Sequence, residues 1–114
     1  MDFDSAILYT NNLEKAIDFY QGIIGLEVEY RQNDEYISFL FPNGARIGIK
    51  AAIEKREKPG FQTIIISLNN IKDFYQKIKD NNVNIYEELK TESWGTTFSI
   101  LDVDNNRIEF LKRD

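Results

Sequence analysis

The feature that most constrains this chain is an internal repeat. The segment SAILYTNNLEKAIDFY from Ser5 aligns with TIIISLNNIKDFYQKI from Thr63, pairing a short apolar strand, an Asn-Asn step and an amphipathic helix at a separation of 58 residues. Further on, SFLFPNGARIGI from Ser38 aligns with SILDVDNNRIEF from Ser99 at a separation of 61, with Arg-Ile shared just after the turn. The second copy therefore gains three residues between its helix and its last hairpin. Two copies are too few for a solenoid, which needs about three repeats to bury a continuous core. The pattern predicts two modules closing on each other around one shared space, and that space is where function is to be sought.

Within 114 residues there is enough chain for one core, whereas a half alone would bury only about 60% of its unfolded surface. The modules are expected to be mutually dependent parts of a single domain spanning 1–114. With 14 Lys and Arg against 19 Asp and Glu, the net charge is −5. That balance argues against a nucleic-acid partner, because affinity for a phosphate backbone comes largely from clustered cations. No histidine or cysteine is present, which removes histidine acid-base chemistry, histidine-dependent serine triads, thiol nucleophiles and thiolate metal sites. The opening MDFDSAIL lacks the basic and long apolar regions of a signal peptide. No apolar run approaches the roughly 20 residues that span a bilayer. A cytoplasmic protein with no membrane partner is the expectation.

The first module, about 1–50, reads as βαβββ. A strand at Ser5 to Thr10 is followed by Asn11 or Asn12 as a side-chain cap. Leu13, Ala16, Ile17 and Tyr20 then fall on one stripe of a 3.6-residue period, and Gly22 and Gly25 are expected to end the helix. Strands are predicted at Leu26 to Gln32, Tyr36 to Phe41 and Arg46 to Lys50, with turns at Asn33-Asp34 and Pro42-Asn43-Gly44. The charged segment Ala51 to Gly60, ending in Pro-Gly, reads as a linker with room for one helical turn. In the second module, about 61–114, Asn70 repeats the cap and Ile71, Phe74, Tyr75 and Ile78 repeat the stripe. Strands follow near Ile85 to Lys90, Thr96 to Leu101 and Arg107 to Leu111. The fold class is α+β, two tandem modules forming a curved mixed sheet around a cleft with the helices outside.

Strand alternation directs Ile47, Ile49, Ile108 and Phe110 toward the helices. Arg46, Gly48, Lys50, Arg107, Glu109 and Leu111 then take the opposite face, beside Ser5, Ile7 and Tyr9. Solvation is the usual fate of a charge on a strand, but two half-sheets facing each other would turn this surface into a groove. Trp94-Gly95 lies in a polar stretch before the penultimate strand. Its indole serves either as a flat stacking surface or as a cover over one end of the core. Asp102-Val103-Asp104-Asn105-Asn106 departs from a calcium loop, since Arg107 stands where glycine is required and Glu109 comes too early. A hairpin turn in which Asp and Asn satisfy nearby backbone groups accounts for it.

Two stretches resemble a known group. LYTNNLEKAIDFYQGIIGLEV is similar to the opening of the vicinal oxygen chelate superfamily, the glyoxalase, bleomycin-resistance and dioxygenase fold. ESWGTTFSILDVDNNRIEFL is similar to its closing pattern, with DVDNN where the family usually has DPDGN. The resemblance implies four metal-ligand positions in those members that use a metal, and here they fall on Ser5, Gly48, Thr63 and Glu109. Only Glu109 is a strong donor, so neither metal nor cofactor is expected.

The closest likeness is to bleomycin-resistance proteins, which sequester a drug rather than transform it. It implies a homodimer, often with exchanged segments, holding a small molecule in grooves at the subunit boundary. Tyr9, Arg46, Trp94, Arg107 and Glu109 are the candidate ligand-binding residues. The acidic chain suits a cationic guest, whereas Arg46 and Arg107 suit an anion, so the guest's charge stays open. The alternative is a lyase, isomerase or dioxygenase-like enzyme, with or without a weakly bound divalent ion. In it Glu109 would act as base and an arginine would stabilise an oxyanion. A third reading is a pure interaction module with a filled groove.

Overall fold

The computed structural model describes all residues, 1–114, and divides into two compact units, Met1–Gly60 and Phe61–Asp114. In the first, β1 (Ala6–Thr10) leads into α1 (Leu13–Ile17), a π-helical stretch (Asp18–Ile24), and then β2 (Glu27–Gln32), β3 (Tyr36–Leu40) and β4 (Arg46–Ala51). In the second, β5 (Thr63–Ser67) leads into α2 (Ile71–Asp80), followed by β6 (Ile85–Glu92), β7 (Gly95–Leu101) and β8 (Arg107–Arg113). The strands form two four-stranded mixed sheets of identical topology, β1-β4-β3-β2 and β5-β8-β7-β6. In each, the first strand runs parallel to the last and the remaining pairs are antiparallel. The class is α+β, with two tandem modules.

The predicted elements all form, with ends displaced by a residue or two. Ser5 precedes β1 rather than belonging to it, and β8 continues two residues past Leu111. Asn12 caps α1, its Oδ1 accepting from the Lys15 N–H at 3.1 Å. Three expectations need correcting. Gly22 does not end the first helix; it lies inside the π-helical stretch, and Gly25 alone, at φ 89°, terminates it. There the N–H groups of Gly25 and Leu26 both donate to the Tyr20 carbonyl, at 3.1 and 2.9 Å. Asn70 stands at the N-cap of α2, but its side chain accepts no cap bond. The 51–60 segment makes a hydrogen-bonded turn at Glu54–Glu57 rather than a turn of helix.

Each sheet buries one face against its helix. In the first unit Leu8, Ile37, Phe39, Ile47 and Ile49 meet Leu13, Ala16, Ile17, Phe19, Tyr20 and Ile24, all buried. In the second, Ile100, Ile108 and Phe110 meet Ile71 and Ile78. Phe98 and Phe110 stack at 5.0 Å between ring centres, with Phe74 and Tyr75 edge-on to them at 4.9 Å. Such pairs add about 0.5–1.5 kcal/mol beyond the area they bury. The other face of each sheet is not covered by a helix. No helix is long and apolar enough to cross a membrane.

Candidate ligand-binding faces

Register assigns the residues of each uncovered face. In the first unit Ile7, Tyr9, Arg46, Gly48, Lys50, Tyr36 and Ser38 share it, because Ile7 pairs Gly48, Tyr9 pairs Lys50 and Ser38 pairs Gly48. In the second, Thr63, Ile65, Arg107, Glu109 and Ser99 share it through the pairs Thr63–Arg107, Ile65–Glu109 and Ser99–Glu109. The alternation read from sequence therefore places Arg46, Arg107 and Glu109 on the faces turned away from the helices.

What the sequence reading missed is a glutamate that repeats with them. The pairing of β2 with β3 slips between Val28 and Tyr30, and a bulge of this kind re-aims the extra side chain. Glu29 consequently reaches across two strands. It accepts from Ser38 Oγ at 2.8 Å and from Arg46 Nε at 2.8 and 3.0 Å. The Arg46 bond first, then Ser38, holds the Glu29 carboxyl below the usual carboxylate range, and Glu29 in turn raises the Arg46 pKa.

The second unit builds the same brace. Register in β6 shifts on either side of Glu87, which accepts from Ser99 Oγ at 3.2 Å and from Arg107 Nη2. Burial works against the Glu87 carboxylate, but the charges of Arg107 and Lys90 and the Ser99 bond leave its pKa lowered. A signal for this was present in the sequence: carrying the repeat back from Ser38 and Ser99 to the earlier separation of 58 superposes Glu29 on Glu87.

Beyond the brace the two faces diverge. Arg107 also bonds Glu109 at 3.0 Å, and its guanidinium lies 5.4 Å from the centre of the Tyr86 ring. In the first unit the position matching Glu109 is Gly48, and a Cβ built there would fall 2.0 Å from the Tyr36 hydroxyl. Burial, followed by the neighbouring Tyr30, raises the Tyr36 pKa, so the phenol stays protonated at neutral pH.

Tyr9 lies on β1 opposite Lys50. Trp94 sits in the β6–β7 turn, 42% exposed, its carbonyl accepting from the Asp114 N–H. It is not brought to Arg107: Gly95 pairs Arg113, six residues and about 20 Å along β8 from Arg107.

The four positions at which a metal would be held do not fit a divalent ion. Ser5 Oγ donates to Asp4, Gly48 has no side chain and lies under Tyr36, Thr63 offers a neutral hydroxyl, and Glu109 is engaged by Arg107. Stable sites need several charged or imidazole donors, and no group of three or more His, Cys, Asp or Glu is gathered anywhere in the chain.

Residues 2–110 match the family model of the Glyoxalase/Bleomycin resistance protein/Dioxygenase superfamily. The chain belongs to this superfamily. Its fold is shared with a superfamily member from Sphaerobacter thermophilus DSM 20745 (TM-score 0.82, 20% identity, covering 99% of this chain and 98% of that one). TnmS3, an antibiotic binding protein from Streptomyces sp. CB03234, is similar at TM-score 0.88 and 15% identity, covering 100% and 97%. A lactoylglutathione lyase from Agrobacterium tumefaciens is similar at TM-score 0.79 and 13% identity, covering 97% and 92%. No curated protein is matched by the sequence. At these identities the likenesses show the superfamily fold alone, and they embrace both a binder and an enzyme.

Proposed function

We propose that this superfamily member binds a small molecule without a metal and sequesters it, as a cytoplasmic homodimer whose ligand lies in a dimer groove. The observation that carries this reading is the Tyr36 hydroxyl over Gly48. A ligand position of the metal-using members is thereby closed by a phenol, while the one remaining strong donor, Glu109, is tied to Arg107. The faces nonetheless keep apolar and aromatic side chains in water, Ile7, Tyr30, Ile65 and Tyr86 among them. Apolar walls with a few fixed polar groups are the ordinary make-up of a small-molecule site. The likeness to an antibiotic binding protein supports sequestration. The enzymatic alternative needs Glu109 as an unencumbered base, and its ion pair with Arg107 argues against that.

A thermal-shift screen of the purified protein against Mn, Ni and Zn ions and against cationic, neutral and anionic ring compounds tests the proposal. Stabilisation by organic compounds and none by the ions is expected. Stoichiometric binding of a divalent ion, measured calorimetrically, would overturn it. Light scattering tests the dimer directly.

A further inference from the structure

The second unit contains an open surface pocket of about 440 Å³ whose lining includes Phe61, Gln62, Thr63, Tyr86, Leu101 and Arg107, a volume in the range of small-molecule sites. Its aromatic residues come from opposite edges of the sheet. Phe61 leads into β5 and Tyr86 belongs to β6, three inter-strand steps or about 14 Å apart. Leu101 and Arg107, directly paired on the two central strands, lie between them.

Both rings stand in water, Phe61 84% and Tyr86 57% exposed, yet Phe61 is held in place by its backbone. It adopts φ 64°, a left-handed conformation unfavourable for a side chain of this size. Its N–H donates to the Asn105 carbonyl at 3.3 Å, the Gln62 N–H donates to Asn106 Oδ1 at 3.0 Å, and the Gln62 carbonyl accepts from the Arg107 N–H at 2.8 Å. Asn106 is itself fully buried and fixed by Asp102. A strained backbone that presents an apolar ring to solvent contributes nothing evident to the core, and strain of this kind concentrates at ligand sites.

The charges nearby are already paired. Arg107 bonds both Glu87 and Glu109, and Glu87 also meets Lys90 at 3.5 Å. An anion would have to displace a carboxylate from Arg107, and a cation would have to approach the guanidinium that lines the pocket. Arg107 Nε is buried with no hydrogen-bond partner, so it lies beyond the reach of a molecule in the pocket, and a neutral guest disturbs none of these pairs.

We propose that this pocket takes a flat, uncharged ring system packed against Phe61 and Tyr86. The assignment deepens the metal-free binding reading and rests on it.

Three bicyclic probes of similar size separate the possibilities: chromone (neutral), naphthoate (anionic) and N-methylquinolinium (cationic). Each is titrated into the ¹⁵N-labelled protein and followed by amide shifts. Chromone is expected to move Phe61, Gln62, Tyr86 and Arg107 and to bind about tenfold tighter than either charged probe. Phe61→Ala and Tyr86→Ala, both at exposed positions, should each weaken chromone about tenfold with the melting temperature unchanged. Tighter binding of a charged probe would overturn the proposal. So would chromone shifts confined to the first unit or to Trp94, an outcome that leaves metal-free binding standing. If no probe moves any resonance the pocket assignment fails, and the metal and ring-compound screen alone then judges the broader reading.

Discussion

Tyr36 covers Gly48: the phenolic oxygen lies 2.0 Å, and the ring carbon bearing it 2.5 Å, from where a Cβ at position 48 would stand. The two residues sit on adjacent strands two residues out of direct register, since Tyr36 pairs Lys50 and Ser38 pairs Gly48. The tyrosine therefore leans along the sheet into space that only glycine leaves free.

Gly48→Ala should cost about 1–3 kcal/mol through overpacking. The same substitution made in a Tyr36→Ala background should cost less than about 0.5 kcal/mol, because the clash and not the backbone sets the penalty. Urea unfolding of the four proteins measures the coupling, and additive effects would show that Tyr36 is not what demands the glycine.

Gly95→Ala should be worse. Its φ of 155° and the Lys112 carbonyl oxygen 2.0 Å from the would-be Cβ leave backbone against backbone, with no flexible side chain to give way. A loss of about 2–4 kcal/mol is expected, read by urea denaturation with Trp94, the only tryptophan, as the fluorescent reporter.

The paired braces predict a pH dependence. The folded Glu29 carboxyl titrates below its ordinary 4.5 because Arg46 and Ser38 bond the charged form. Its stabilisation is thus present above that value and lost as the pH falls beneath it. Glu29→Gln should melt lower than the parent at pH 7, and the gap should close in acid. A gap that persists at low pH would mean the bulge, not the charge, is what matters.

Glu57 offers a second window. Nearly all of its side chain is buried, and it accepts from Lys50 Nζ at 2.8 Å and from the Ile53 and Glu54 N–H groups at 2.9 and 3.0 Å. Lys50 first, then these backbone donors, bring its pKa from 4.5 to about 2. Stability from this clip is complete above 4.5 and is lost as the pH falls from there toward 2. Glu57→Gln should flatten the melting-temperature profile across that interval, and hydrogen exchange should show the loss first at Ile53 and Glu54.

The period-two and period-3.6 patterns were sufficient to read both modules, because burial of one face is written locally. They also placed Arg46, Arg107 and Glu109 together on uncovered faces. The features they concealed depend on geometry that residue type does not carry. Seven residues from Asp18 to Ile24 are too few to distinguish a π-helical period from an α-helical one, so Gly22 looked like a terminator. Asn70 is chemically able to cap, but its rotamer is decided by packing. The bulges that swing Glu29 and Glu87 inward shift register by one residue, which strict alternation does not anticipate. Trp94 and Arg107 were grouped as candidate binding residues by type alone, whereas the antiparallel pairing of β7 with β8 sets them at opposite ends. Phe61 drew no notice, since nothing local signals that Asn105 and Asn106 would anchor it and Gln62.

The duplicated Glu–Ser–Arg brace has a consequence for how such a protein can change. Each half carries its own scaffold, so a drifting residue beside one copy is not answerable to the other. Positions 48 and 109 occupy the same place in their halves, and one is a gap filled by an aromatic neighbour while the other holds an acid. Twin supports with unlike contents let the residues on one side change while the strands of both halves are still held upright.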